Sequence, residues 1–185
     1  MTQADLIRTA EQTRKRWELC LNLLGEFLKM NVSELISKIA AGEKDFQGVC
    51  LHGTNLCGAN LSHINLSRVD LSCADLSGVN LMGSNLTQAN LTNSDLNQAD
   101  LRSVNLSQVN LIGASLVEAK MGRSNLTRAD LRSANLTHAN LVGAILTDAE
   151  FSGADLTGAN INHAELNEAM DNIGISHNWI SWSGH

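Results

Sequence analysis

The sequence predicts a solenoid, short units stacked end on end, with an α-helical cap at its N-terminal end. Three observations predict it. A five-residue pattern runs without insertion or deletion through most of the 185 residues. Four tetrapeptides, NLSR from Asn65, NLTQ from Asn85, NLSQ from Asn105 and NLTR from Asn125, begin twenty residues apart. The stretch just before the pattern carries a helical period instead.

Stepping by five from Phe46 reaches Leu166 through 25 centres, all Leu except Phe46, Met121, Phe151 and Ile161. Two residues before each centre stands a small or compact residue, usually Ala. The residue just before the centre is usually Asn or Asp, and the two after it are mostly polar or Gly. Period five fits neither the 3.6 of a helix nor the 2.0 of a strand. Sustained this long, it demands units that each bury apolar residues against their neighbours.

The pattern A-(D/N)-L-x-x, as in "GANLSHINLSRVDLSCADLSGVNL", resembles the pentapeptide-repeat proteins over about residues 45–170. The segment "MNVSELISKIAAGEKDFQGVCL" is similar to the helix-to-first-coil junction of cyanobacterial members. The resemblance implies an all-β solenoid with an α-helical N-terminal cap: a right-handed quadrilateral β-helix of about six coils. One pentapeptide makes one side and four make a coil. The centre and the residue two before it point inward, and the other three point outward. The twenty-residue echo is then one full turn, and at ~4.8 Å per coil the rod is roughly 30 Å long.

The expected organisation is a helical segment over 1–44, the β-helix over 45–170 and a tail or cap over 171–185. "NVSELISKIAAG" reads as a helix over about 32–41, with Asn31 or Ser33 as N-cap, Val32, Leu35, Ile36 and Ile39 on one face, and Gly42 as the stop. A longer helix is expected over about 3–29, with a heptad-like seam of Leu6, Ala10, Thr13, Trp17, Cys20, Leu24 and Phe27. It packs on the cap, or pairs with a partner or a second copy. The tail holds Trp179 and Trp182, read either as a lid over the last coil or as a contact for a homodimer or partner.

The register places each outward charge. With the opening tetrapeptides on side one, side two presents Asp70, Asp130 and Glu150 against Arg132. Side three presents Asp75, Asp95, Glu118 and Asp155 with no base. Side four is basic, with Arg102, Lys120 and Arg123 against Asp100. Asp replacing Asn where both are tolerated explains the acids as well as function does. Val142 and Ile145 break the polar rule at outward positions and form a seat for the tail or a partner.

No enzyme is expected: no phosphate-binding Gly motif and no metalloprotease motif appears. No cofactor or metal is expected either, since Cys50, His52, Cys57 and Cys73 all face outward, spread over two sides of the first two coils, and do not converge on one ion. The net charge of −6 argues against direct nucleic-acid binding. The first residues lack the apolar run of a secretory signal and no segment is long and apolar enough for a bilayer, so the expected address is cytoplasmic, away from membranes. The favoured function is a non-enzymatic protein–protein interaction scaffold or regulator. The alternative, drawn from the resemblance, is a DNA mimic that binds DNA gyrase, as the quinolone-resistance members do, through the acidic edge.

Overall fold

The computed structural model describes residues 30–161. The expected helix over 3–29, the last centre Leu166, and Trp179 and Trp182 lie outside the described residues.

The rod arises from one repeated local event. A centre carbonyl accepts the N–H three residues on, as from Val109 to Leu106 (3.1 Å) and from Ala114 to Leu111 (3.0 Å), so a β-turn recurs every five residues; at Leu61 and Ile64 a serine hydroxyl takes the place of this bond. The residue two after the centre has positive φ in every turn from Gly48 (+71°) to Gly158 (+68°). Positive φ at the third position is the mark of a type II turn. Glycine suits that position, and Gly78 takes it at +62° with open space around it. Arg68, Gln98 and Glu118 are held there too, at +58°, +59° and +58°. Each such residue carries strain on the order of 1 kcal/mol. Bonds along the rod offset it: the Glu118 N–H donates to Thr137 O at 2.9 Å and the Arg68 N–H to Thr87 O at 2.9 Å.

Consecutive coils pair in parallel. Asp45 bridges Asn65, and each later partner lies twenty residues on, without a slip, to Asn140 with Asn160. The Leu86 N–H donates to Asn105 O (2.8 Å), and the Asn105 N–H donates back to Ser84 O (3.0 Å). Four turns therefore make one coil, and NLSR, NLTQ, NLSQ and NLTR stack in register. A five-residue unit echoes at twenty because only the fifth unit lies on the first.

The core is the column of centres with the residues two before them. Leu66, Leu86, Leu106 and Leu126 are fully buried, and Ala99, Ala119 and Ala139 beside them are equally closed off. Earlier coils use Val69, Val79 and Val104 where later ones use Ala129, Ala134 and Ala139, and all of these are buried. Removing each Leu side chain from water contributes about 2 kcal/mol.

Three serines occupy the inward position where Ala would serve: Ser84, Ser94 and Ser124, all buried. Ser94 and Ser124 each donate back to the carbonyl three residues earlier, of Leu91 and Met121, at 2.7 Å. Ser84 acts differently. Its Oγ donates to Leu61 O (2.6 Å) and accepts from the Ile64 N–H (3.1 Å), so it enters the turn of the coil beneath. Ser84→Ala should therefore strand a buried donor and acceptor and cost roughly 1–3 kcal/mol. Ser124→Ala should cost well under half of that, because Met121 O still accepts the Ser124 N–H at 3.1 Å. Urea unfolding of the two variants checks the difference.

The N-terminal end is covered by α1 (Val32–Ala40). Asn31 is the N-cap, its side chain accepting from the Glu34 N–H at 2.8 Å. Gly42 stops the helix at φ +93°. The Gly42 N–H donates to Ile39 O and the Glu43 N–H to Lys38 O, the paired bonds of a Schellman ending. Leu35 is fully buried, and Met30, Val32 and Ile39 pack partly against the same core. An uncovered first coil would leave an open backbone edge. Two expectations need correction. Ile36 is not on the buried face but 39% exposed, since only the Val32–Leu35–Ile39 stripe meets the coils. Cys50 is not exposed but buried at its outward position, where the Met30 N–H reaches Cys50 O at 3.5 Å as the chain enters α1. Cys57 and Cys73 are exposed as expected. Among the described residues no helix is long and apolar enough to cross a membrane.

Candidate interaction surfaces

The residue before each centre explains why Asn and Asp recur there. Its side-chain oxygen accepts the backbone N–H two residues on: Ser67 to Asn65 (3.1 Å), Thr87 to Asn85 (3.1 Å), Thr127 to Asn125 (3.0 Å). At several of these turns the Ser or Thr hydroxyl bonds the same oxygen, as Thr87 Oγ1 and Thr127 Oγ1 both do at 2.6 Å. These are Asx-turns, which set the chain into the β-turn that follows. Side-chain contact between coils is the lesser role: the Asn85 amide donates to Asn65 Oδ1 at 3.2 Å and the Asn65 amide to the Asp45 carboxylate at 2.8 Å.

Six of the seven acids singled out in the sequence do this local work. Asp70, Asp75, Asp95, Asp130, Glu150 and Asp155 each accept from the N–H two residues on, at 2.9–3.2 Å. Glu118 instead occupies a left-handed turn position and accepts from Gln98 Nε2 at 3.0 Å. The turn needs the oxygen and not the charge, so an Asn would serve in the same place. Hydrogen bonds from the Ser77 hydroxyl and then its backbone N–H hold the Asp75 carboxyl below the usual carboxylate range.

Charge is nonetheless distributed unevenly. On side two, Arg132 forks onto Asp130 at 2.9 and 2.7 Å, which raises the Arg132 pKa, and Asn90 bonds Asp70 at 2.9 Å. On side three Asp75 and Asp95 face each other across neighbouring coils. Asp155 stands further along the same column, through Ser115 and Asn135, and among the described residues no Lys or Arg stands on that side. On side four Arg102 forks onto Asp100 at 2.8 and 2.5 Å. Lys120 and Arg123 add positive charge with no ion pair among the described residues.

The Arg102 hydrogen bond is the main cause that lowers the Asp100 pKa. A depressed folded pKa contributes stability that is complete above the unfolded value of about 4 and is lost as pH falls through the folded value. The rod should therefore hold level from neutral pH to about pH 4 and weaken below it. Asp100→Asn should remove part of that acid dependence, as followed by circular dichroism during acid titration.

Val142 and Ile145 are each 52% exposed and flank one corner. Beside them lies a shallow groove on side four of about 370 Å³, lined by Met82, Arg102, Gly122, Arg123 and Val142 among others. It exists because Gly122 stands between Arg102 and Val142 in one outward column. Sequence reasoning missed this groove, although Gly at an outward position between longer side chains was its visible signal. Among the described residues no group of His, Cys, Asp and Glu could hold a metal ion.

The protein-family model described as pentapeptide repeats matches residues 50–88, 84–123, 110–148 and 124–162, more than half of the chain. No curated protein matches it. Among solved structures, alr5209, a pentapeptide repeat protein from Nostoc Pcc 7120, is 30% identical over 84% of this chain and 98% of its own, with a TM-score of 0.36. HetL, a pentapeptide repeat protein involved in heterocyst differentiation regulation from the cyanobacterium Nostoc sp. Strain PCC 7120, is 29% identical over 70% of each chain, with a TM-score of 0.37. QnrB1, a plasmid-mediated fluoroquinolone resistance protein, is 15% identical over 71% of this chain and 89% of its own, with a TM-score of 0.27. The unbroken register of bridges twenty residues apart, the five-residue turns and the family match together show that this chain belongs to the pentapeptide-repeat family.

Proposed function

We propose that this protein is a non-enzymatic scaffold that binds a protein partner along the outside of its rod, with side three as the contact. One observation carries the reading: Asp75, Asp95, Glu118 and Asp155 share a side on which, among the described residues, no Lys or Arg stands. Their backbone is fixed by two ladders of hydrogen bonds, so the carboxylates are presented with little conformational entropy left to lose. A basic patch on the partner is the complement, and encounter is faster at low salt.

The test uses the Asx-turn itself. Asp75→Asn, Asp95→Asn and Asp155→Asn together keep the turn-setting oxygens and remove only charge. The triple variant should melt close to the wild type, yet lose a partner that immobilised wild-type protein retains at low salt and releases at high salt. Equal retention by both would sink the reading.

A second reading is a DNA mimic that engages gyrase, and the same acidic side favours it. Wild-type protein added to a supercoiling assay at up to tens of micromolar should then inhibit, and the triple variant should not. Absence of inhibition at the highest concentration removes this reading and leaves the scaffold standing.

A further inference from the structure

The geometry points to the groove on side four as the seat of this chain's own C-terminal tail, residues 171–185, docked in cis.

Position comes first. The described chain ends at Ile161, a side-four centre, immediately after Asn160. Asn160 bridges Asn140, and Asn140 itself lines the groove. The described chain therefore ends one coil from the groove. Trp179 lies eighteen residues beyond Ile161, a span of up to roughly 60 Å when extended. The groove runs from Met82 to Val142, three coils or about 14 Å. Reach is ample, and a short tether favours the intramolecular encounter.

Chemistry comes second. Val142 and Ile145 are the most exposed large apolar residues among those described. Ile145 stands where Asn or Asp sets the turn in the coils beneath, so its presence gives up a hydrogen bond for an apolar surface. The segment supplies matching groups in Ile173, Ile175, Trp179, Ile180 and Trp182. Gly122 leaves room for an indole ring between Arg102 and Val142.

Charge comes third. After Arg132 the chain contains no Lys or Arg; Glu165 and Glu168 flank the expected last centre, Leu166, and the tail beyond begins with Asp171. Side four offers Lys120 and Arg123 without ion pairs among the described residues. The tail is acidic and apolar, and the groove is basic and apolar. Sides two and three would instead repel it.

The experiment reads the tail tryptophans in the full chain carrying Trp17→Phe, which leaves Trp179 and Trp182 as the only indoles. Two variants empty or block the seat without touching the core. Val142→Ser with Ile145→Asn removes the apolar pair, and the new Asn restores the turn-setting oxygen. Gly122→Leu fills the groove; Gly122 lies outside the left-handed region, and its added Cβ would stand an ordinary 3.5 Å from Val142 O. Emission should be blue-shifted and shielded from acrylamide in the parent. Both variants should shift it toward that of indole in water and raise quenching several-fold, while the rod's melting temperature does not fall. Sedimentation should show a monomer, with emission independent of concentration.

Parent emission already at the water position would overturn the proposal. So would blue emission untouched by either variant, which would place the tail over the last coil instead. A shift that depends on protein concentration would assign the seat to a second copy and overturn docking in cis. None of these readouts depends on the partner proposed for side three.

Discussion

Excising one whole coil, residues 86–105, should leave a folded and shorter rod, whereas deleting Gln88 alone should destroy folding beyond that point. The excision joins Asn85 to Leu106, so the Asx-turn, the centre and every later column stay in step. Bridges twenty residues apart simply re-form one coil further on. In a solenoid each unit touches only its neighbours, so the loss is one coil's own stability and one interface. The single deletion does something else. It leaves one side with four residues, and every later Leu moves toward the outward position just before it, held by Asn90, Asp95 and Asp100 in the next three units. Leu91, Leu96 and Leu101, now fully or almost fully buried, would turn outward. Each exposed Leu forfeits about 2 kcal/mol, and several such losses exceed the few kcal/mol by which a domain is stable. Thermal unfolding followed by circular dichroism should show a cooperative transition for the excision and none of comparable size for the deletion. A deletion variant that melts like the wild type would mean that in-register stacking does not hold the rod.

Leu106→Ala should cost about 2–5 kcal/mol. Leu106 is fully buried, between the equally buried Leu86 and Leu126 of the neighbouring coils. The backbone around it is held on both sides: the Leu106 N–H donates to Asn125 O (2.8 Å), and Val109 N–H to Leu106 O (3.1 Å). Walls so fixed cannot collapse into the space, which puts the expected loss toward the upper half of the range. The opposite change at the other kind of inward position, two before a centre, is informative. Ala139 is also fully buried, and Ala139→Leu should cost roughly 1–3 kcal/mol through overpacking. Gln108→Ala, on the exposed ladder where Gln88 Nε2 reaches Gln108 Oε1 at 2.8 Å, should change stability by less than about 1 kcal/mol. Urea denaturation of the three variants checks the order. If the Gln108 variant proved as weak as the Leu106 variant, the outer ladders and not the inner column would carry the rod.

The parts legible in the sequence were those set by periodicity. Leu at every fifth position, with Ala two before it, marks what is buried, because burial must repeat with the chain's own geometry. The helical stripe at Val32, Leu35 and Ile39 was legible for the same reason, and the Gly42 stop because few residues adopt its φ. The polar positions were less legible. Asn105 looks like a surface residue and is the hinge of a turn; Ser84 looks like a substitute for Ala and is a bond between coils. One polar atom can serve solvent, its own turn or the next coil, and the residue's name does not say which.

By itself the sequence determined the unit, its register, the inward column and the signed sides, since each follows from counting along an unbroken period. Only the tertiary structure decided what lies across the coils. It buried Cys50 beneath the entry to α1, left Ile36 in solvent, paired Arg132 with Asp130 and Arg102 with Asp100, and opened a groove at Gly122. Each depends on where side chains from separate parts of the chain come to rest, and a repeating period fixes the places of those side chains without fixing their partners.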